Sequence, residues 1–162
     1  MIEGHTVTGY FYNPNIHPVD EYKKRLEAAR KAASQMGFEF VEGPYDRERW
    51  FELIKGTEYE GEGGRRCQVC YRMRLEKTYE YMRKKMLDAF TTTLSVSPHK
   101  DAAVINAIGR EIGGERFINA DFKKKGGFQR ATEMSTEMDL YRQHYCGCIY
   151  SQEEALKRDK SK

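Results

Sequence analysis

The stretch Val7-Thr-Gly-Tyr-Phe-Tyr12, stopped by Asn13-Pro14-Asn15 and followed by a helical pattern from Asp20 to Met36, decides how the rest of the chain is read. Six residues rich in β-formers and closed by a turn cluster predict a strand. Tyr22, Leu26, Ala29 and Ala33 then recur at helical spacing until Gly37, the usual C-terminal signal. With the short strand Phe38–Val41 this makes a βαβ unit, whose strands run parallel. The alternation continues through helix Asp46–Lys55, with Trp50, Leu53 and Ile54 on one side, a Gly/Glu loop at Gly56–Arg66, and a long helix at Cys67–Met86. Strand Ala89–Thr93, helix Ala102–Ile112, strand Phe117–Asn119 and helix Gln129–Met138 complete the order βαβααβαβα. That order predicts an α/β sheet with crossover helices.

The 162 residues suit a single α/β domain over 1–162, with a polar C-terminal tail at 152–162 and no linker or repeat. Lys and Arg number 28 against 25 Asp and Glu, a net of +3, which excludes a polycation or an acidic tail protein. Leu, Ile, Val and Phe number only 29, and the mean hydropathy is −0.83. So low an aliphatic content signals disorder only with a high net charge. Here the charge is small and aromatics are 12%, so a folded domain with a thin core is expected. No predicted strand is the continuous Val/Ile/Leu run that a buried parallel strand supplies, and a central strand is therefore expected to be missing from the chain.

No apolar run approaches the roughly 20 residues that cross a bilayer, and MIEGHTVTGYFYNP lacks the basic start and apolar middle of a signal peptide. The expected compartment is the cytosol, with no membrane partner. In that reducing setting Cys67, Cys70, Cys146 and Cys148 read as metal ligands or redox groups rather than as disulfides.

Cys67-Gln-Val-Cys70 at a predicted helix start brings two sulfurs within reach of one metal, and a helix N-terminus favours their thiolates. Arg65, Arg66, Arg72 and Arg74 surround this pair, and Arg142 and His144 precede Cys146-Gly147-Cys148, where Gly147 lets the backbone bend. Three chemistries stay open on spacing alone: a closed four-Cys zinc site, an iron–sulfur cluster, or a dithiol made by Cys67 and Cys70. Thr91 to Pro98, rich in hydroxyls beyond a strand end, sits where α/β folds bind ligands, although an ordinary helix-capping turn has the same composition. Asp121-Phe-Lys-Lys-Lys-Gly-Gly-Phe128 joins a carboxylate to a basic run between aromatics, the mixture that single-stranded RNA uses, or else a solvated face. Tyr10, Tyr12, Tyr141 and Tyr145 present flat faces that stack on bases or finish a core short of aliphatics. His144 can donate a proton near neutral pH, though a lone His is more often a packing residue.

Five motifs taken in order resemble one family. They are Tyr12-Asn-Pro-Asn-Ile-His-Pro18, Cys67-Gln-Val-Cys70-Tyr71 with Arg74-Leu75, Thr91-Thr-Thr-Leu94 with Ser97-Pro98, Asp121-Phe-Lys-Lys124 with Gly126-Gly127, and Tyr141-Arg-Gln-His-Tyr-Cys-Gly-Cys-Ile-Tyr-Ser151. Together they resemble the QueH-type epoxyqueuosine reductases from about Val7 to Ser151. The resemblance implies a Rossmann-like three-layer parallel sheet akin to the adenine-nucleotide α-hydrolases, and the last step of queuosine synthesis on the wobble base of tRNA. It also implies a [4Fe–4S] cluster with an adjacent iron. By motif, Cys67, Cys70, Cys146 and Cys148 carry over as ligands, and Asp121 as a member of its motif with an open role. Family members begin with a strand ending in Cys-Cys and a helix, ahead of the segment matching Val7 to Tyr12. This chain has neither, so its first strand and two thiolates are expected to be missing.

Reducing an epoxide to an alkene needs two electrons, which no side chain supplies reversibly, so the cysteines are assigned to a cluster fed by an external electron donor. Asp121, Tyr141 and His144 are the expected proton donors, and Lys123, Lys124, Lys125 and Arg142 the expected phosphate contacts. The competing expectation is a non-catalytic, zinc-stabilised RNA-binding module using the same surface.

Overall fold

In the computed structural model, which describes residues 4–160, the opening βαβ unit forms as its sequence pattern predicts. Strand β1 (Thr8–Phe11) pairs in parallel with β2 (Glu39–Glu42), in the register Thr8↔Glu39 to Phe11↔Glu42, and helix α1 (Val19–Met36) connects them. The rest of the helical order is α2 (Arg47–Leu53), α3 (Arg65–Lys84), α4 (Ala102–Gly113), α5 (Gly127–Glu137) and α6 (Ile149–Lys160). The molecule is an α/β protein whose only sheet among the described residues has two strands. No helix of it is long and apolar enough to cross a membrane among the residues described.

Backbone packing divides the chain into two units, one made of the residues up to Arg47 and those from Ser135 on, the other of Glu48–Met134. The first has an aromatic core. Ile16, Tyr22 and Leu26 are buried against Phe11, Phe40 and Tyr45, with Tyr22 stacked on Tyr45 at 4.0 Å between ring centroids. Rings here replace the aliphatic residues the composition lacks. Tyr12 is one of them: it is buried, and its hydroxyl donates to Asp46 Oδ2 at 2.9 Å.

The second unit packs α3 against α4 over Cys67, Tyr71, Leu75, Met82, Phe90, Ile105, Ile108 and Phe117. Asp101 starts α4 by accepting from the N–H groups of Ala103 and Val104, a side-chain cap of the usual kind.

The two strands expected at Ala89–Thr93 and Phe117–Asn119 do not form. A single parallel bridge, Phe90↔Phe117, takes their place, held by Phe90 N to Arg116 O and Ile118 N to Phe90 O, both 2.9 Å. Side chains end the ladder on both strands. Thr92 Oγ1 accepts from Leu94 N and starts a 3-10 turn at Thr93–Val96, while Asn106 exchanges two hydrogen bonds of 3.2 Å with the backbone of Ala120. Local side-chain to backbone bonds of this kind compete directly with sheet pairing. At the other end of the chain, α6 covers most of the stretch expected as a polar tail, of which residues 161 and 162 lie outside the described residues.

Gly109 and Gly113, one turn apart on α4, leave room for the two bridge phenylalanines. A Cβ at Gly109 would stand 2.3 Å from Phe117 Cζ, and one at Gly113 would stand 2.4 Å from Phe90 Cε1. Neither ring can yield easily, because each is buried and the two meet edge to face at 5.2 Å. We expect Gly109→Ala to destabilise the protein by about 1–3 kcal/mol, read as a lower urea midpoint with an unchanged slope. A midpoint equal to that of the unmodified protein would refute this packing argument.

Candidate paired-thiol sites

Cys67 and Cys70 lie three residues apart in the first turns of α3, on one face, and both are 7% exposed. The Gly/Glu loop before them is tied down from below by Arg66. This guanidinium is 2% exposed and its Nη1 donates to the carbonyls of Glu58 and Glu60. Arg65 N and Nε both donate to the Glu60 carboxylate at 2.6 Å. With the loop so fixed, the Gly63 N–H points at Cys67 Sγ at 3.3 Å. Buried Lys100 closes the loop's other end by donating to Glu62 Oε1 at 2.7 Å, and it lies over the Tyr71 ring. Arg65, Arg66 and Arg72 are thus held by oxygen acceptors, Arg72 by Glu111.

The Asp121 motif and the Thr-rich segment meet in this same unit. Ser95 is buried and accepts from Phe122 N at 3.3 Å. Asp121 draws in two of the three lysines, with Lys123 Nζ at 3.2 Å and Lys124 Nζ at 3.8 Å. Lys123 also donates to the Lys100 carbonyl at 3.0 Å, whereas Lys125 is exposed.

In the first unit, Cys146, Gly147 and Cys148 form a loop that enters α6. Gly147 has φ +138°, and a side chain there would come within 3.1 Å of Arg25 Nη1 and Asn15 Nδ2, so both its conformation and its surroundings demand glycine. Ser151, in the first turn of α6, organises the loop. Its N–H donates to Cys148 Sγ at 3.4 Å, while its hydroxyl donates to the Cys148 carbonyl at 2.8 Å and accepts from Gly147 N at 3.3 Å.

The loop is held on α1 by a buried ion pair. Arg25 Nε donates to Glu21 Oε1 at 2.7 Å, both side chains being less than a tenth exposed. The other two guanidinium nitrogens donate to the carbonyls of Cys146 (2.9 Å) and Tyr145 (3.1 Å). His17 N donates to Gly147 O at 2.8 Å, and the Tyr145 hydroxyl donates to the His17 carbonyl. The second oxygen of Glu21 accepts from the Tyr141 hydroxyl at 2.7 Å.

Burial pushes the Glu21 carboxyl up, but the hydrogen bonds from Tyr141 and Arg25 and the nearby charges of Arg25 and Lys24 outweigh it, leaving its pKa below the usual range. The same hydrogen bond to Glu21, with burial, raises that of Tyr141. Tyr145 is pushed up to about 12, chiefly by burial and then by the Glu21 charge. Tyr141 therefore keeps its proton firmly, while His144 and Arg142 stand exposed beside it in the chain.

Sequence reasoning missed Glu21, Arg25 and Ser151. The available signal was Arg25 lying between Tyr22 and Leu26 on the apolar side of α1, four residues after Glu21. That spacing ordinarily reads as an exposed helical salt bridge.

Among the described residues no group of three or more His, Cys, Asp and Glu side chains is arranged to hold a metal ion, and none of the four cysteines is in a disulfide. Each unit by itself offers two thiols. The donors suit an iron–sulfur cluster in chemistry: they are soft sulfurs, three of the four are buried, and one sulfur in each pair receives a backbone N–H. Such N–H bonds are one of the levers by which proteins set a cluster's potential.

Fold and thiols define an α/β protein with two paired-cysteine sites. The family model described as "Epoxyqueuosine reductase QueH" matches residues 1–154, and the chain belongs to that family. It is 40% identical over 97% of its length to the epoxyqueuosine reductase QueH of Haemophilus influenzae, spanning 66% of that protein. The corresponding protein of Streptococcus pyogenes is 38% identical over 90% of the chain, which spans 60% of it. That of Thermotoga maritima is 39% identical over 88%, with 77% of its length spanned. The chain thus spans somewhat less than two thirds of the first two relatives.

Two outcomes follow from the Arg25 network and its neighbour His17. Arg25→Lys keeps the charge but loses the fork that reaches both carbonyls, and should cost about 1–3 kcal/mol. In metal-free protein it should speed alkylation of Cys146 and Cys148 and leave Cys67 and Cys70 unchanged, as resolved by peptide mass spectrometry. Rates at Cys146 and Cys148 equal to those of the unsubstituted protein would show that Arg25 does not hold the loop. His17 is 5% exposed, and burial, helped by the Arg47 charge, lowers its pKa from 6.5 to about 4. Between these values the unfolded chain binds the proton and the folded one does not, so stability is full above about pH 6.5 and falls as the pH drops toward 4. His17→Asn should flatten that acid slope of Tm, and an unaltered slope would assign it to other groups.

Proposed function

We propose that this chain reduces the epoxide of epoxyqueuosine in tRNA to the alkene of queuosine. The observation that carries the reading is the pair of built thiol loops, one per unit, in a chain of this family. Each is fixed by a buried arginine acting on backbone carbonyls, and each has an N–H aimed at sulfur. Loops held this firmly suit metal ligation better than a flexible dithiol does. A Rossmann-like sheet of the adenine-nucleotide α-hydrolase kind is the parent fold we infer, supported by the parallel β1–α1–β2 unit.

Cys67, Cys70, Cys146 and Cys148 are the residues that would hold a [4Fe–4S] cluster. When bound, the cluster supplies electrons singly at low potential, passed on from an external donor. The reaction breaks both C–O bonds of the epoxide, takes up two electrons and two protons, and releases water. Asp121 and His144 are the groups we assign to those protons. His144 is exposed two residues before Cys146, and Asp121 forms ion pairs with Lys123 and Lys124. Tyr141, whose phenolate would face the Glu21 carboxylate, serves better by orienting the substrate through its ring and hydroxyl. Lys123, Lys124, Lys125 and Arg142 are assigned to the tRNA phosphates, positions that add affinity without reading sequence.

Cys67→Ala or Cys148→Ala should each abolish iron and acid-labile sulfide binding after anaerobic reconstitution, and with it turnover of epoxyqueuosine tRNA, because a cluster thiolate has no neutral replacement. Iron content and turnover that survive either change would refute the ligand assignment. A colourless protein that holds zinc and binds RNA without reducing it would favour a zinc-stabilised RNA-binding module instead.

A further inference from the structure

A groove in the first unit runs between α1 and the segment that leads into the second cysteine pair. Lys23, Lys24 and Lys31 line one side, and Leu140 and Tyr141 the other. Lysines on the outer face of a helix are ordinarily no more than a solvated surface. Two features set these apart. They face an aromatic ring across a concavity, and that ring is fixed: the Tyr141 hydroxyl is tied to Glu21, and Lys24 Nζ lies 5.6 Å from the ring centroid.

The charges of the groove do not cancel. Its one lining carboxylate, Glu27, is bound by Arg30 at 2.7 Å. Lys31 is engaged with Asp139, donating to its carbonyl at 2.7 Å and to its Oδ2 at 3.1 Å. Glu21, beneath Tyr141, is paired with Arg25. Lys23 and Lys24, both exposed, are left as the groove's excess positive charge. The chain continues from Tyr141 through exposed Arg142 and His144 to Cys146, so the groove adjoins the segment that ends in the thiols.

We propose that this groove is an RNA-binding site distinct from the Lys123–Lys125 run. Lys23 and Lys24 take two successive backbone phosphates of a single-stranded segment, and a base lies against the exposed part of the Tyr141 ring. A phosphodiester strand matches the groove in charge, and a base matches it in shape, since aromatic faces accept any base. Glu21 joins this surface to the cysteine loop, holding Tyr141 with one oxygen and Arg25 with the other. The proposal rests on RNA being the substrate.

The test is equilibrium binding of the full chain to an unmodified tRNA anticodon stem-loop across a salt series, which needs no bound cluster. Lys23→Gln with Lys24→Gln should weaken binding by about tenfold and make the dependence of log K on log salt shallower by up to about 0.7 per lost contact. The pair Lys84→Gln with Lys85→Gln, which removes the same charge from the other unit, should leave the slope as it was. Tm and thiol count should be unchanged in both variants. Unaltered affinity and slope in the Lys23 and Lys24 variant, or an equal loss in the control, would overturn the groove while leaving the proposed activity standing. Failure of the unsubstituted chain to bind RNA at all would overturn both.

Discussion

A guanidinium buried against its own helix is the interaction on which the first unit turns. Arg25 cannot lose its charge and has five donors to satisfy. Placed at 9% exposure on α1, it must be met by acceptors, and the acceptors are the Glu21 carboxylate and the carbonyls of Tyr145 and Cys146. A distant stretch of chain is thereby pinned to α1 by its backbone, leaving its cysteine side chains uncommitted by that bond. Removing either charge would leave the other buried alone, the most expensive arrangement available.

The second unit solves the same problem with different residues. Arg66 is also buried and also spends its donors on carbonyls, those of Glu58 and Glu60. In both units, then, a buried arginine binds backbone carbonyls, in the first unit beside the Glu21 carboxylate, and the loop so held presents cysteine sulfur to an N–H. Backbone carbonyls are present whatever the side chains are, so such a clamp fixes the loop's path without dictating its chemistry. The buried charges are internally satisfied and add little to the surface field. Lys23 and Lys24 on one unit and Lys125 on the other are among the exposed cations.

Helices α1 to α5 and the first strand pair were legible because they depend on local pattern, whereas α6 forms where a polar tail was expected. Apolar spacing over Asp20–Met36 and the turn cluster at Asn13–Asn15 left little choice, and α1 ends at Gly37 as the pattern requires. The unformed strands at Ala89–Thr93 and Phe117–Asn119 show where pattern reading stops. Their composition favours a ladder, but Thr92 and Asn106 offer the backbone closer partners, and only one bridge survives. Whether a threonine caps a turn or lines a strand depends on what else approaches it, and spacing carries no record of that.

The sequence by itself determined the α/β class, the family, the four cysteines and the glycine that lets the chain bend between two of them. Each of these is a property of residue type and spacing, which the chain states directly. Only the tertiary structure decided that Glu21 and Arg25 are buried, that Ser151 holds the Cys148 loop, and that Asp121 gathers Lys123 and Lys124. The reason is the distance along the chain. Arg25 meets Cys146 across 121 positions, and a charged residue whose partner is a backbone carbonyl so far away looks the same in sequence as one that faces water.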